Sequence, residues 1–162
     1  MLSQETSVGA HPIEAVRAMA DICRAAESHP SYQRARPVGT VRGSVGSAIA
    51  HSAATVADEL GAAAIVAFTE TGSTALRVSK KHPTVPVIAA SPHAETLRRT
   101  ALYAGVIPLL VEHGSDTDDL IAKASEAAIR SGLVRRRDRV VIVAGIAKQP
   151  GHTNLLKVVT IQ

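Results

Sequence analysis

The most constraining feature of this chain is a continuous apolar run at residues 62–68 that ends abruptly in a turn rich in hydroxyl groups. The run has the length of a strand and no alternation of polar and apolar residues, which is typical of a strand buried on both faces of a parallel sheet. The turn at residues 69–74 leads into a helical pattern in which Ala75, Val78 and Ser79 recur at helical spacing. The chain must therefore cover both faces of a sheet with helices.

The rest of the chain repeats this alternation of strand and helix. Strands are predicted at residues 86–90, 106–111, 140–144 and 154–161, and helices at residues 12–28, 45–60, 91–103 and 116–130. Gly61 suits a left-handed helix end, Ser91 an N-cap and Pro92 a first helical position, while Pro108 predicts a weak or edge strand. We predict an α/β three-layer sandwich with a mostly parallel sheet of about five strands and helices on both faces.

Composition limits the class of protein. The chain has 162 residues, which fits one domain with a short appendage. Its longest apolar runs fall far short of the roughly 20 residues that span a bilayer, and no secretory signal pattern opens the sequence. These features predict a cytoplasmic protein. The single cysteine, Cys23, lies in a helical pattern and is expected to be a small buried residue rather than a reactive thiol.

Charge and histidine spacing argue against two kinds of site. The net charge is +4, partly from a basic segment at residues 135–139. This segment lies between a helix end and a buried strand without a neighbouring aromatic residue, so a solvated loop is favoured over a nucleic-acid surface. The histidines show no metal-ligand spacing among themselves, and no metal site is predicted.

The hydroxyl-rich turn has the chemistry of an anion site. Unpaired N–H groups of a helix N-terminus favour a phosphate, Gly72 permits a close approach of the backbone, and the threonine and serine side chains supply short donors. The same residues could instead only cap the helix. The residues themselves leave both interpretations open.

Several stretches together resemble one family. Residues 1–9 read MLSQETSVG and residues 11–16 read HPIEAV, similar to a conserved turn and the last barrel helix of pyruvate kinases. Residues 69–75 (TETGSTA), 82–89 (HPTVPVIA) and 151–154 (GHTN) resemble later motifs of the same family, in order and at its spacing. The resemblance covers nearly the whole chain.

The resemblance implies that residues 39–162 form the C-terminal domain of a pyruvate kinase and that residues 1–38 are the end of its catalytic barrel. The family transfers phosphoryl from phosphoenolpyruvate to ADP with magnesium and usually potassium. Those ions are implied for the full-length enzyme and no cofactor is expected in this chain. Only Thr6 matches a residue that the family places at the substrate, as a remnant of the catalytic site. This chain alone is therefore expected to be inactive.

In the family, the C-terminal domain holds an effector site and a subunit interface. The resemblance implies a sugar phosphate or nucleoside monophosphate effector and a homo-oligomer, with neither nucleic acid nor membrane as a partner. It places the effector phosphate on five residues of the turn: Thr69, Thr71, Gly72, Ser73 and Thr74. A second loop would cover the effector with Lys148, Gly151, His152 and Thr153.

The sequence departs from the family pattern at three positions. Gln4 stands where the family usually has glycine, and His82 replaces an arginine. Glu70 occupies a position where some relatives carry a cation, and its carboxylate would repel a second phosphate. Two other functions stay open, namely a freestanding module that binds a phosphorylated ligand and an interaction domain that binds none.

Overall fold

Helices and strands alternate along most of the chain, as the sequence predicts. The computed structural model describes residues 1–29, 32, 43–145 and 153–162. The chain divides into two units, Met1–Val38 and Gly39–Gln162. The first contains helices α1 (Gln4–Ser7) and α2 (Pro12–Ser28). The second contains, in order, α3 (Val45–Leu60), β1 (Ala64–Phe68), α4 (Ser73–Ser79), β2 (Val87–Ser91), α5 (Ala94–Thr100), β3 (Val106–Leu110), α6 (Thr117–Arg130), β4 (Arg139–Ala144) and β5 (Leu155–Thr160).

The strands of the second unit form one sheet with the order β3-β2-β1-β4-β5. Strand β1 lies in the middle and pairs in parallel with β2 and β4, so that Val66 faces both Ile88 and Ile142. Strand β3 is parallel to β2, whereas β5 runs antiparallel to β4. The mostly parallel sheet is confirmed, and Pro108 lies in the edge strand β3 as predicted.

Two hydrophobic clusters cover the two faces of the sheet. Alternate residues of β1 contribute to them, since Ile65 belongs to one cluster and Val66 to the other. The Ile65 cluster includes the alanine-rich face of α3 together with residues of α4. The Val66 cluster includes the apolar face of α6. Helices therefore cover both faces, which gives the predicted three-layer arrangement and explains why β1 has no polar side chain.

The ends of two helices test the predicted capping residues. Gly61 is left-handed at the end of α3, with φ +56°, and its N–H donates to the carbonyls of Ala57 and Asp58, which confirms the prediction. Ser91 is not an N-cap, and that prediction was wrong. It is the last residue of β2, where it pairs with Leu110 of β3, and α5 begins at Ala94, so the prediction of Pro92 as the first helical position was wrong too. Pairing in the sheet outweighs the local preference of serine for a helix start.

The first unit contains little buried surface. Neither α1 nor α2 has a buried residue, and the apolar side chains of Ile13 and Val16 are 62% and 51% exposed. Cys23 is also exposed, so the prediction that it is buried was wrong. A helical pattern predicts which face is apolar but not whether another element covers that face. A unit of this size has too few residues to build a core of its own.

Two observations concern the surface. The basic segment before β4 is exposed at its arginines, as the prediction of a solvated loop requires. Among the described helices, none combines the length and the apolar character that crossing a membrane demands.

The start of α6 carries two reciprocal caps. The Asp116 carboxylate accepts a hydrogen bond of 2.9 Å from the backbone N–H of Asp119. In return, the Asp119 carboxylate accepts one of 2.8 Å from the backbone N–H of Ser115. This bond from Ser115, followed by the one from the Lys123 ammonium, holds the pKa of Asp119 below its ordinary value. The two aspartates satisfy donors that would otherwise be unpaired at the helix end.

We expect Asp116→Ala to lower the free energy of unfolding by about 1 kcal/mol, because it removes the side-chain acceptor at the N-cap. Asp116→Asn should change it by only a few tenths, since asparagine is an equally good N-cap. Ser44→Ala is a matched control, because Ser44 occupies the N-cap of α3 without a side-chain capping bond. Urea unfolding measures all three variants. Equal losses for Asp116→Ala and Ser44→Ala would contradict the capping role of Asp116.

Candidate functional site

The carboxyl ends of three neighbouring parallel strands meet at one edge of the sheet. Glu70 and Thr71 follow β1, His93 follows β2 and His113 follows β3. Helices α4 and α5 start at this edge. In open α/β sheets this edge is the usual location of a ligand site, and it contains the hydroxyl-rich turn that the sequence singled out.

Thr69 is the first residue of the turn and is almost completely buried. Its backbone N–H donates to the carbonyl of Ala90 at 3.0 Å, which extends the pairing of β1 with β2. The Thr69 hydroxyl is buried as well, and among the described residues it has no hydrogen-bond partner. An unpaired buried hydroxyl costs about 1–3 kcal/mol, so a ligand oxygen that reached this group would supply the bond that it lacks among the described residues.

Gly72 is required by the backbone and by its neighbours. Its φ is +86°, in the left-handed region, where it occupies the N-cap position of α4. An added Cβ would lie 3.1 Å from the Thr100 methyl and 3.4 Å from the Tyr103 hydroxyl. The groups that come close to the Gly72 backbone are therefore two side chains of the protein, Thr100 and Tyr103, and not a ligand. Any larger residue would strain the turn.

Two residues predicted from separate stretches of sequence contact each other. The hydroxyl oxygens of Thr74 and Thr153 lie 2.8 Å apart, and both residues are buried. Thr74 is in the first turn of α4, whereas Thr153 precedes β5. Ser73 directly precedes Thr74, but its hydroxyl accepts a bond of 3.3 Å from the Arg77 guanidinium. Thr71 is exposed, whereas Thr69 and Thr74 are buried. The hydroxyls of the turn therefore do not all face one site.

The remaining predicted residues lie elsewhere. Lys148, Gly151 and His152 fall outside the residues that the structure describes. Thr6 belongs to the first unit, where its hydroxyl donates to the carbonyl of Ser3 at 3.0 Å. The assignment of an effector to the turn and to the second loop stays a prediction.

A cavity of about 460 Å³ opens next to the turn, and sequence reasoning missed most of its residues. It is lined by Glu70, Thr71, Pro92, His93, Ala94, Glu95, Thr96 and Arg99. The sequence did contain a clue to these residues, because most of them surround the start of α5, directly after the predicted strand β2. The order of the strands in the sheet decides that this segment adjoins the turn after β1, and the sequence does not give that order.

Contacts inside the cavity hold the turn against α5. The Thr96 hydroxyl donates to the carbonyl of Glu70 at 2.7 Å, and the Arg99 guanidinium donates to the carbonyl of Thr71 at 3.3 Å. Arg99 also pairs with Glu95 at 3.0 Å, and the Glu70 carboxylate lies 2.7 Å from the imidazole of His93. The lining of the cavity thus contains two carboxylates and one guanidinium. This lining favours a cation or a hydroxyl donor, and it opposes a bisphosphate more strongly than a monophosphate.

Comparison with known proteins relates the chain to one family over most of its length. The family model described as the alpha/beta domain of pyruvate kinase matches residues 47–159. Pyruvate kinases of Clostridium acetobutylicum and Dictyostelium discoideum are 38% and 40% identical to it, over 100% and 99% of this chain. That of Staphylococcus saprophyticus is 39% identical over 97%. These alignments cover 35%, 33% and 27% of the respective relatives, so the chain spans about a third of their length.

The contact between Thr74 and Thr153 can be tested by a double-mutant cycle. Thr74→Val and Thr153→Val should each lower the free energy of unfolding by about 1–3 kcal/mol, because each leaves one buried hydroxyl unpaired. The double variant should lose less than the sum, since it removes both hydroxyls together. Thr55→Val, at an exposed position of α3, is the control for the loss of a hydroxyl. Urea unfolding gives the four values, and strictly additive losses would show that the two hydroxyls do not interact.

Proposed function

The chain belongs to the pyruvate kinase family, of which it contains the C-terminal alpha/beta domain, and we propose that it is the regulatory and oligomerisation part of such an enzyme. In this proposal the full-length enzyme transfers phosphoryl from phosphoenolpyruvate to ADP, and this domain binds an effector that controls it. The observation that carries the effector role is the buried Thr69 hydroxyl, which has no partner among the described residues.

We place the phosphate of the effector at the turn between β1 and α4. Thr69 offers its unpaired hydroxyl there, and the exposed Thr71 offers a second hydroxyl. Thr74 and Thr153 form a buried pair of hydroxyls, and their contact holds the start of α4 in place. A phosphate oxygen at this turn would receive one of its hydrogen bonds from the Thr69 hydroxyl, which folding has already removed from water, and this reduces the cost of binding.

Glu70 limits the chemical class of the effector. Its carboxylate repels a nearby negative charge by about 1 kcal/mol at 4 Å in water, and by more where solvent is excluded. The same carboxylate can accept hydrogen bonds from sugar hydroxyls. A monophosphate that carries a hydroxylated sugar, either a sugar phosphate or a nucleoside monophosphate, therefore fits better than a bisphosphate.

The apolar face of α2 supports the proposed assembly. Ile13 and Val16 are each more than half exposed along this helix, and Met19, Ala20 and Cys23 continue the same stripe at helical spacing. An exposed apolar stripe of this kind favours association with another surface. We propose that the stripe is covered in a longer pyruvate kinase chain, or in a homo-oligomer when these 162 residues are produced alone.

We expect these 162 residues alone to show no pyruvate kinase activity. Phosphoryl transfer needs metal ions and cationic side chains around the moving group, and Thr6 is the only residue here that matches the family's substrate site. A coupled assay with phosphoenolpyruvate, ADP, magnesium and potassium tests this, with the Clostridium acetobutylicum enzyme as positive control. Turnover above background that survives repurification would refute the expectation.

The effector site should bind a sugar monophosphate with a Kd of about 1 mM, or roughly 4 kcal/mol of binding free energy. Glu70→Lys should tighten binding about tenfold, because it replaces a repulsive charge by an attractive one. Thr69→Val should weaken binding by removing the buried hydroxyl. Glu126→Lys makes the same change of charge at an exposed position of α6 and should have no effect. Titration calorimetry in the presence of EDTA measures these affinities.

If neither Glu70→Lys nor Thr69→Val changes the affinity, the turn only caps α4. The effector role would then be lost while membership of the family would stand.

A further inference from the structure

Three side chains at the carboxyl edge of the sheet lie close enough to share one metal ion. One ligand atom from each of Glu70, His93 and His113 lies within 4.8 Å of the other two. The closest pair, His93 Nε2 and Glu70 Oε2, is 2.7 Å apart. The two imidazole rings have their centroids 5.8 Å apart, at an angle of 73°. From this arrangement we propose that the three side chains bind a divalent transition-metal ion.

The topology of the sheet brings the three ligands together. Each follows one of three neighbouring parallel strands, Glu70 after β1, His93 after β2 and His113 after β3. One complete strand-and-helix unit therefore separates each ligand from the next in sequence. Such spacing contains no local ligand motif, which is why the sequence predicted no metal site.

Neighbouring helices hold the backbone of two of the ligands. The carbonyl of Glu70 accepts a bond of 2.7 Å from the Thr96 hydroxyl of α5. The carbonyl of His113 accepts one of 2.8 Å from the Lys123 ammonium of α6. Small rotations of the side chains can then adjust the site while the backbone stays in place.

The adjustment that a metal ion needs is small. At zinc bond lengths of 2.0–2.2 Å, tetrahedral ligand atoms lie about 3.3 Å apart. The Glu70 and His93 atoms, now 2.7 Å apart, would separate by about half an ångström, and His113 would move inward from at most 4.8 Å. Both Glu70 and His93 have side chains that are 50% exposed, so these rotations meet little steric resistance.

The donor set indicates which metals would bind. Two imidazoles and one carboxylate suit zinc, cobalt, nickel or copper, whereas magnesium prefers six oxygen ligands. Three protein ligands leave a fourth position for water or a ligand atom. The nearby cations oppose the ion little, because Arg99 is paired with Glu95 and Lys123 with Asp119.

Zinc titration of the untagged chain tests the proposal. All proteins should carry Cys23→Ser, because the exposed thiol could bind zinc on its own. With a competing chromophoric indicator, we expect one equivalent of Zn²⁺ to bind. His93→Ala and His113→Ala should each weaken binding tenfold or more. His11→Ala is the matched control, since His11 is exposed and its side chain makes no capping bond, and it should leave the affinity unchanged.

A second measurement does not depend on how the variants fold. In imidazole NMR spectra of the Cys23→Ser chain, one equivalent of Zn²⁺ should shift the ring signals of His93 and His113 and leave those of His11 in place. Zinc affinity that survives both histidine substitutions would overturn the proposal, as would zinc-induced shifts confined to other histidines. Because Glu70 alone is shared with the effector proposal, and the effector titration contains EDTA, failure of either proposal leaves the other testable.

Discussion

The parallel pairing of β1 with β2 and β4 is the interaction on which the rest of the structure depends. Strand β1 lies in the middle of the sheet and is buried along its whole length. Its alternate residues enter the two hydrophobic clusters, so the helices on both faces pack against it. The same pairing aligns the carboxyl ends of β1, β2 and β3. For this reason one end of the sheet brings together the turn after β1, the start of α5 and His113. Both the proposed effector site and the proposed metal site depend on this alignment.

Local patterns were sufficient to predict most of the fold but only part of the candidate site. Apolar runs and helical periodicity depend on nearby residues, so the strands, α3 and its end at Gly61, and the edge position of Pro108 could all be predicted. Ser91 and Cys23 were misjudged because their environments depend on distant elements. Strand β3 keeps Ser91 in the sheet, and no element among the described residues buries Cys23. The contact of Thr74 with Thr153 spans 79 residues. Neither that contact nor the approach of His93 to Glu70 leaves a signal in local spacing.

Glu70 joins two different chemical environments at the edge of the sheet. On one side, the turn that begins with Thr69 offers one buried hydroxyl without a partner among the described residues, and the exposed hydroxyl of Thr71. On the other, the cavity is lined by two carboxylates, one imidazole and one guanidinium. A ligand that uses both must combine one anionic group with hydroxyls, or must be accompanied by a cation. The position of one carboxylate between these environments therefore restricts the ligand class more than the hydroxyl-rich turn does.

The bond between Thr74 and Thr153 also has a consequence for how the protein is made. Thr74 leaves the ribosome 79 residues before its partner, and β5 emerges after the other four strands of the described sheet. The parallel strands can pair earlier, but β4 has an open edge and Thr74 lacks this partner until residues 153–160 have been synthesised. The bond at the start of α4 can thus form only after Thr153 has been synthesised. A nascent chain that exposes β1, β2 and β3 but not Thr153 would have three parallel strands and would lack this bond.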